Sequence, residues 1–119
     1  MEKNVNAAEV ARKAAQIISE RGLAKGVLMD LQGQVCHDGA IFLALGVPIT
    51  GALSADCHFG SPEQEMSIRI RLASREILQH RSGGEPSCDI PYFFNDQDST
   101  SAEDVILLLK EAAEQLEEA

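Results

Sequence analysis

The stretch SPEQEMSIRIRLASREILQH, residues 61–80, decides the fold, because its middle can be read in two ways. MSIRIRL, residues 66–72, alternates apolar and polar with the period of a strand, whereas Met66, Ile70, Ala73 and Ile77 recur on one face of an α-helix. What precedes them decides for helix. Ser61 supplies a hydroxyl N-cap, Pro62 takes the first helical position, and Gln64 stands three residues after the cap, where its amide reaches back. The expected helix runs from Pro62 to His80. Ile68 and Leu72 then fall on its other side, among Arg69, Arg71 and Arg75. Either this helix is sandwiched in the core, or its second apolar face meets another subunit.

Working outward, the other helices also carry their starts. Asn6 and Glu9 form a capping box, and Val5 can staple onto Val10. A helix therefore begins near Ala7, with a stripe of Val10, Ala14, Ile17 and Ile18, and ends at Gly22, which can turn left-handed. CHDGAIFLALG, residues 36–46, is apolar almost all round from Ala40 to Leu45, the mark of a buried helix, with Gly46 and then Pro48 to end it. Thr100 or Ser101 caps a last helix with Glu103 and Asp104 in its first turn and Val105, Leu109, Ala112 and Leu116 as its stripe. GVLMDLQGQVC, residues 26–36, reads either as a small hairpin around Gln32 and Gly33 or as an irregular loop. VPITGALSADCHFG and RSGGEPSCDIP are rich in turn formers and read as connections, the second a mobile one. The expected fold is mostly α: a compact single domain, residues 1–119, of about four helices, with or without a short β-hairpin near residues 27–36.

Composition limits what such a domain does. With 119 residues the chain can bury roughly two-thirds of its unfolded surface without disulfide or metal staples. A net charge of −9 disfavours binding to nucleic acid and to anionic membranes. No apolar run approaches the roughly 18 residues that a membrane span needs. An odd number of scattered cysteines and a start without the apolar core of a signal peptide point to a reducing cytoplasm. The charge is uneven: residues 96–118 are strongly acidic with only Lys110 as a base, while Arg69, Arg71, Arg75 and Arg81 crowd one span. These are two solvated faces, or two surfaces that attract each other within a chain or across a homodimer.

Cys36, His37, Cys57, His58, His80 and Cys88 are of the types that zinc prefers, yet no paired spacing preorganises them, so no metal or cofactor is expected. Cys36 just before a helix has the placement of a nucleophile, with His58 as base and Asn95 as orienter. Against that cysteine-hydrolase reading stands the near absence of strands. Cys36 is otherwise a small packing residue, with Gly39 and Ala40 permitting close helix contact.

The stretch FFNDQDSTSAEDV, residues 93–105, leaves Asn95 and Asp96 outside the helix cap. After Ile90 to Phe94 anchor in the core, Asn95 closes a turn or turns left-handed while Asp96 caps a short turn; alternatively Asn95 reaches the free N–H groups near Cys36. An aromatic residue followed by Asn95 and Asp96, a hydroxyl cap, two acidic residues and Val105, together with Cys36, Gly39, Ala40 and Ile41 upstream, resembles a family of small proteins from actinobacteria and their phages, domain of unknown function 6197. Phe94 stands where that family usually has Trp, and Ser101 where it has Thr. The resemblance implies a mostly helical domain and brings no activity. It makes Cys36, Gly39, Asn95 and Asp96 a candidate polar structural site, and Ile68, Arg69, Arg71, Leu72 and Arg75 are a candidate interface. An accessory or regulatory protein that works through protein contacts is the functional expectation.

Overall fold

The stretch at residues 61–80 is helical from Pro62 onward. In the structure, a computed structural model that describes residues 6–82 and 90–118, the order is α1 (Ala7–Arg21), α2 (His37–Ala44), β1 (Ile49–Gly51), β2 (Ser54–Ala55), α3 (Pro62–Ser82), α4 (Pro91–Asp96) and α5 (Ala102–Glu118). Ser61 Oγ accepts from Gln64 N at 3.1 Å, and the Gln64 side chain reaches back to Gly60 N. That cap fixes the register that buries Ile70, Ala73 and Leu78 and leaves Ile68 and Leu72 in solvent. Local capping thus overrides the strand-like alternation.

α1 and α5 form the main layer of the core. Asn6 Oδ1 accepts from Glu9 N at 2.8 Å at the head of α1, and Gly22 closes its end with φ of +94°. Val5 and its staple lie outside the described residues. Ser101 caps α5 in a reciprocal box with Asp104, each side chain accepting from the other's backbone N–H. The buried alanines of α1, with Val10 and Ile18, meet Val105, Leu109 and Ala113 of α5. Small residues let two helix axes approach closely. α2 closes one end of this layer with Ala40, Ile41 and Ala44, and α3 lies along α5, tied by an Arg81–Glu111 ion pair and by Gln115 Nε2 donating to Glu76 at 2.6 Å. The acidic last helix and the arginine-rich span therefore meet inside one chain at Arg81.

Three expectations change. The antiparallel ladder is β1–β2, inside the segment expected to be a connection, and residues 27–36 instead hold a tight turn. There Asp30 Oδ1 accepts from Gln32 N and Gln34 N, and a single bridge joins Met29 to Val35. The Asp30 side chain takes the Gln34 N–H and organises the turn, while Asp30 N donates to Gln34 O and Cys36 N to Leu28 O across it. Residues 91–96 are a fifth, short helix, with Pro91 at its start. Tyr92 and Phe93 are not anchored in the core; both are about half exposed, with ring centroids 4.7 Å apart. The connection expected at residues 81–91 falls largely outside the described residues, and Cys88 with it.

Candidate functional site

The N-terminus of α2 is where the separate motifs converge. A helix start presents N–H groups with no partner in the helix. Cys36 is the N-cap, and its Sγ accepts from Gly39 N at 3.3 Å. Asn95, fully buried on α4, accepts from His37 N through Oδ1 at 2.9 Å and donates through Nδ2 to Ala24 O at 2.9 Å and to Asp96 Oδ1 at 3.0 Å. Asp96 Oδ1 in turn accepts from Gly26 N at 2.8 Å. Asn95 is therefore not a turn closer, and no non-glycine among the described residues has a positive φ. Its amide spans α2, α4 and the loop after α1, and every bond it makes is internal.

Gly39 is required by the same packing. A Cβ there would stand 2.1 Å from the Leu28 carbonyl oxygen. The close neighbour is loop backbone rather than another helix, and Cys36 N donates to that same oxygen at 3.2 Å.

The cysteine-nucleophile arrangement does not assemble. Burial pushes the Cys36 thiol up to about 11 in spite of the Gly39 N–H that favours the thiolate. Desolvation outweighs the helix end, and a protonated thiol is a poor nucleophile. The His58 side chain is 83% exposed on the loop after β2, 3.9 Å from Asp56, and makes no hydrogen bond with Cys36. Asn95 orients the His37 backbone and not an imidazole. Cys57 is a free thiol, half-buried, and among the described residues no group of three His, Cys, Asp or Glu side chains could hold a metal ion.

A different polar chain, not foreseen from the sequence, lies one residue further on. His37, 1% exposed, places Nδ1 2.9 Å from Asp38 Oδ1 and Nε2 2.9 Å from Ser74 Oγ. Burial opposes the Asp38 charge, but the His37 hydrogen bond and the charges of His37 and Arg71 hold its carboxyl below the ordinary carboxylate value. The order Ser, His, Asp is that of a hydrolase triad. Ser74 is fully buried in the middle of α3, however, where neighbouring backbone N–H groups belong to the helix and none is free to hold an oxyanion. The chain instead fastens α2 to α3. The available signal was that Ser67 and Ser74 stand one heptad apart beside the Ile70 face. Lys25 was missed as well: its ammonium donates to the carbonyls of Thr100, at 2.7 Å, and Gln97.

Asp38 also lines the outside of this region. A groove of about 320 Å³ between α3 and α4 is lined by Asp38, Ile68, Arg71, Leu72, Arg75, Ile90, Pro91 and Tyr92. Ile68 and Leu72 are 42% and 51% exposed. Arg71 lies back along its own helix, donating to the Ser67 carbonyl and hydroxyl. Arg69 is exposed and lies outside the lining. The polar site and the interface candidates are thus two sides of one construction, with α4 as the shared wall.

Among known proteins, the model of the Family of unknown function (DUF6197) matches residues 2–115. No curated protein and no solved structure matches the chain.

Proposed function

The chain belongs to the family of unknown function DUF6197, and from that premise we propose that it is a non-enzymatic accessory or regulatory protein, a single cytoplasmic domain that works by docking another protein in the groove between α3 and α4. The observation that carries this reading is where the chemistry-bearing side chains are used up. Cys36, Asn95, Asp96, His37 and Ser74 all make internal hydrogen bonds, whereas Ile68, Leu72 and Tyr92 stand in solvent around a groove. Polar residues there build a wall, and apolar ones are left to meet a partner. Exposed apolar area beside arginines has the composition of an interface centre, where Arg and aromatic residues are enriched. No helix among the described residues is long and apolar enough to cross a membrane.

The test is affinity capture from native cells with two baits, the unaltered chain and Ile68→Glu with Leu72→Glu. A protein retained by the first and lost by the second is the expected result; identical captures, or none, would sink the reading. Alkylation of Cys36 separates it from the cysteine-hydrolase alternative. A thiol held at about 11 should stay unmodified near neutral pH, and rapid neutral-pH labelling of Cys36 would restore the enzyme.

A further inference from the structure

The groove does not end at Tyr92. Tyr92 and Asp38 line it and also line a second pocket of about 180 Å³, whose other walls include Val27, Leu28, Leu53, Cys36 and Asp96. The sign of the charge changes between the two. The groove carries Arg71 and Arg75, whereas the only charged side chains that the described residues give the second pocket are two carboxylates. Each is half spent. Asp38 Oδ1 meets His37 Nδ1 at 2.9 Å, and Asp96 Oδ1 accepts from Gly26 N at 2.8 Å and from Asn95 Nδ2 at 3.0 Å. Those bonds fix how the two groups point, and no hydrogen bond or ion pair among the described residues reaches the Oδ2 of either. The neighbouring bases are engaged elsewhere. Arg71, whose charge Asp38 also feels, lies back on Ser67, and Lys25 donates to the carbonyls of Gln97 and Thr100. The field inside the pocket is registered at Cys36, whose thiol is raised first by burial and then by the charges of Asp38 and Asp96.

The chemistry that fits this lining is a cation on an aliphatic stem. Val27, Leu28 and Leu53 cover the stem, the Tyr92 ring attracts the positive charge, and the preset carboxylate oxygens accept its N–H groups. The pocket is smaller than the roughly 300–1,000 Å³ of small-molecule sites, so it suits one side chain. We propose that it takes a lysine or arginine side chain of the protein docked in the groove, whose neighbouring apolar residue lies on Ile68 and Leu72. The inference rests on the reading of the groove as a protein-docking surface and names the chemistry of the partner. The net charge of −9 acts in the same direction at long range, drawing a basic surface toward the chain.

An NMR titration of the labelled full chain tests this with butylammonium and butylguanidinium as cationic probes and butanol as the neutral one. Both cations should move the Val27, Leu28 and Leu53 amide signals to saturation, and butanol should not. Asp38→Asn, which keeps an oxygen for His37, should weaken the cations about tenfold. Leu53→Lys, at a position 77% exposed, should weaken them as much by supplying a cation from the chain itself. If Asp38→Asn does not fold, Leu53→Lys decides alone. Shifts that never saturate, an equal response to butanol, or cation binding indifferent to these changes overturns the proposal. Affinity capture with the same variants separates it from the docking reading. A protein retained by the unaltered chain should be lost with Asp38→Asn and with Leu53→Lys, as with Ile68→Glu and Leu72→Glu together. A capture lost only with the last pair overturns the basic side chain and keeps the groove, and captures indifferent to every variant overturn both.

Discussion

α1 and α5 are joined by shape, α2 and α4 by single polar atoms. The first pair meets over its length through buried alanines, Val10, Ile18, Val105 and Leu109, with an Arg12–Glu117 ion pair at 2.6 Å on its rim. Any of several apolar side chains could be trimmed there without removing the reason for the two helices to meet. The second pair touches through Asn95, whose one amide answers His37 N–H and Ala24 C=O. Hydrophobic contact is non-directional and shared among many atoms, whereas a buried hydrogen bond belongs to two groups and leaves an unpaired one when either is lost. One region should therefore fail by degrees, and the other at named atoms.

The contrast can be broken by mutation, measured as denaturation midpoints with an unchanged slope. Leu109→Ala, at a fully buried position, should cost about 4 kcal/mol by opening a cavity between α1 and α5. Gly39→Ala should cost about 3 kcal/mol, because a methyl group against the Leu28 carbonyl has to move backbone. Asn95→Ala comes next, at about 2 kcal/mol, for two buried backbone groups left unpaired. A loss of only a few tenths for Asn95→Ala would mean that α4 is held by its apolar contacts, and the distinction between the two helix pairs would collapse.

Asp38→Asn sharpens the comparison through pH. The folded state holds the Asp38 carboxyl below its ordinary value of 3.8, so the unfolded chain binds the proton more readily. The stability this contributes is complete above the ordinary carboxylate range and is lost as pH falls through the folded value. In wild type the urea midpoint should drop on that acid limb, and the substitution should flatten the drop. Equal acid limbs would show that Asp38 contributes nothing through His37. The smallest effect belongs to Ile68→Glu with Leu72→Glu, which should stay within about 0.5 kcal/mol per site in the monomer because neither side chain is in the core. Unfolding of that variant would return both residues to the interior.

The same contrast explains what could be read beforehand. Caps and stripes are local, so Asn6 with Glu9, Ser61 with Gln64, and Thr100 or Ser101 ahead of Glu103 and Asp104 placed α1, α3 and α5 from adjacent residues alone. The same register set Ile68 and Leu72 opposite the Ile70 face but left open whether a second layer covers them; both are exposed. α4 was not legible as a helix, since six residues with two outward aromatic rings carry no amphipathic period. Nor was the β1–β2 ladder, whose burial does not alternate. Within the polar site, Cys36, Gly39, Asn95 and Asp96 stood out by resemblance, and the reach of Asn95 to an N–H beside Cys36 was one of the two readings; the other partners were not legible. His37 finds Ser74 on another helix, and Asp96 finds Gly26 on a loop, and no spacing along the chain encodes those meetings.

Asn95 also sets a kinetic order. Its bonds to Ala24 and His37 close stretches of 71 and 58 residues. A six-residue helix has too few turns to persist by itself, so α4 orders only when the loop after α1 and the head of α2 are in place to receive it. By the same dependence α4 should leave before α1 and α5 in a partial opening, and it takes one wall of the groove with it. Amide exchange should then report a single cooperative unit: the His37 and Gly26 hydrogens, on different segments, exchanging at one common rate set by the departure of α4, while those in the middle of α1 and α5 wait for global unfolding. The wall of the proposed docking surface is in that sense a transient part of the described structure, and a partner bound there should be seen as slowed exchange at two amides it does not touch.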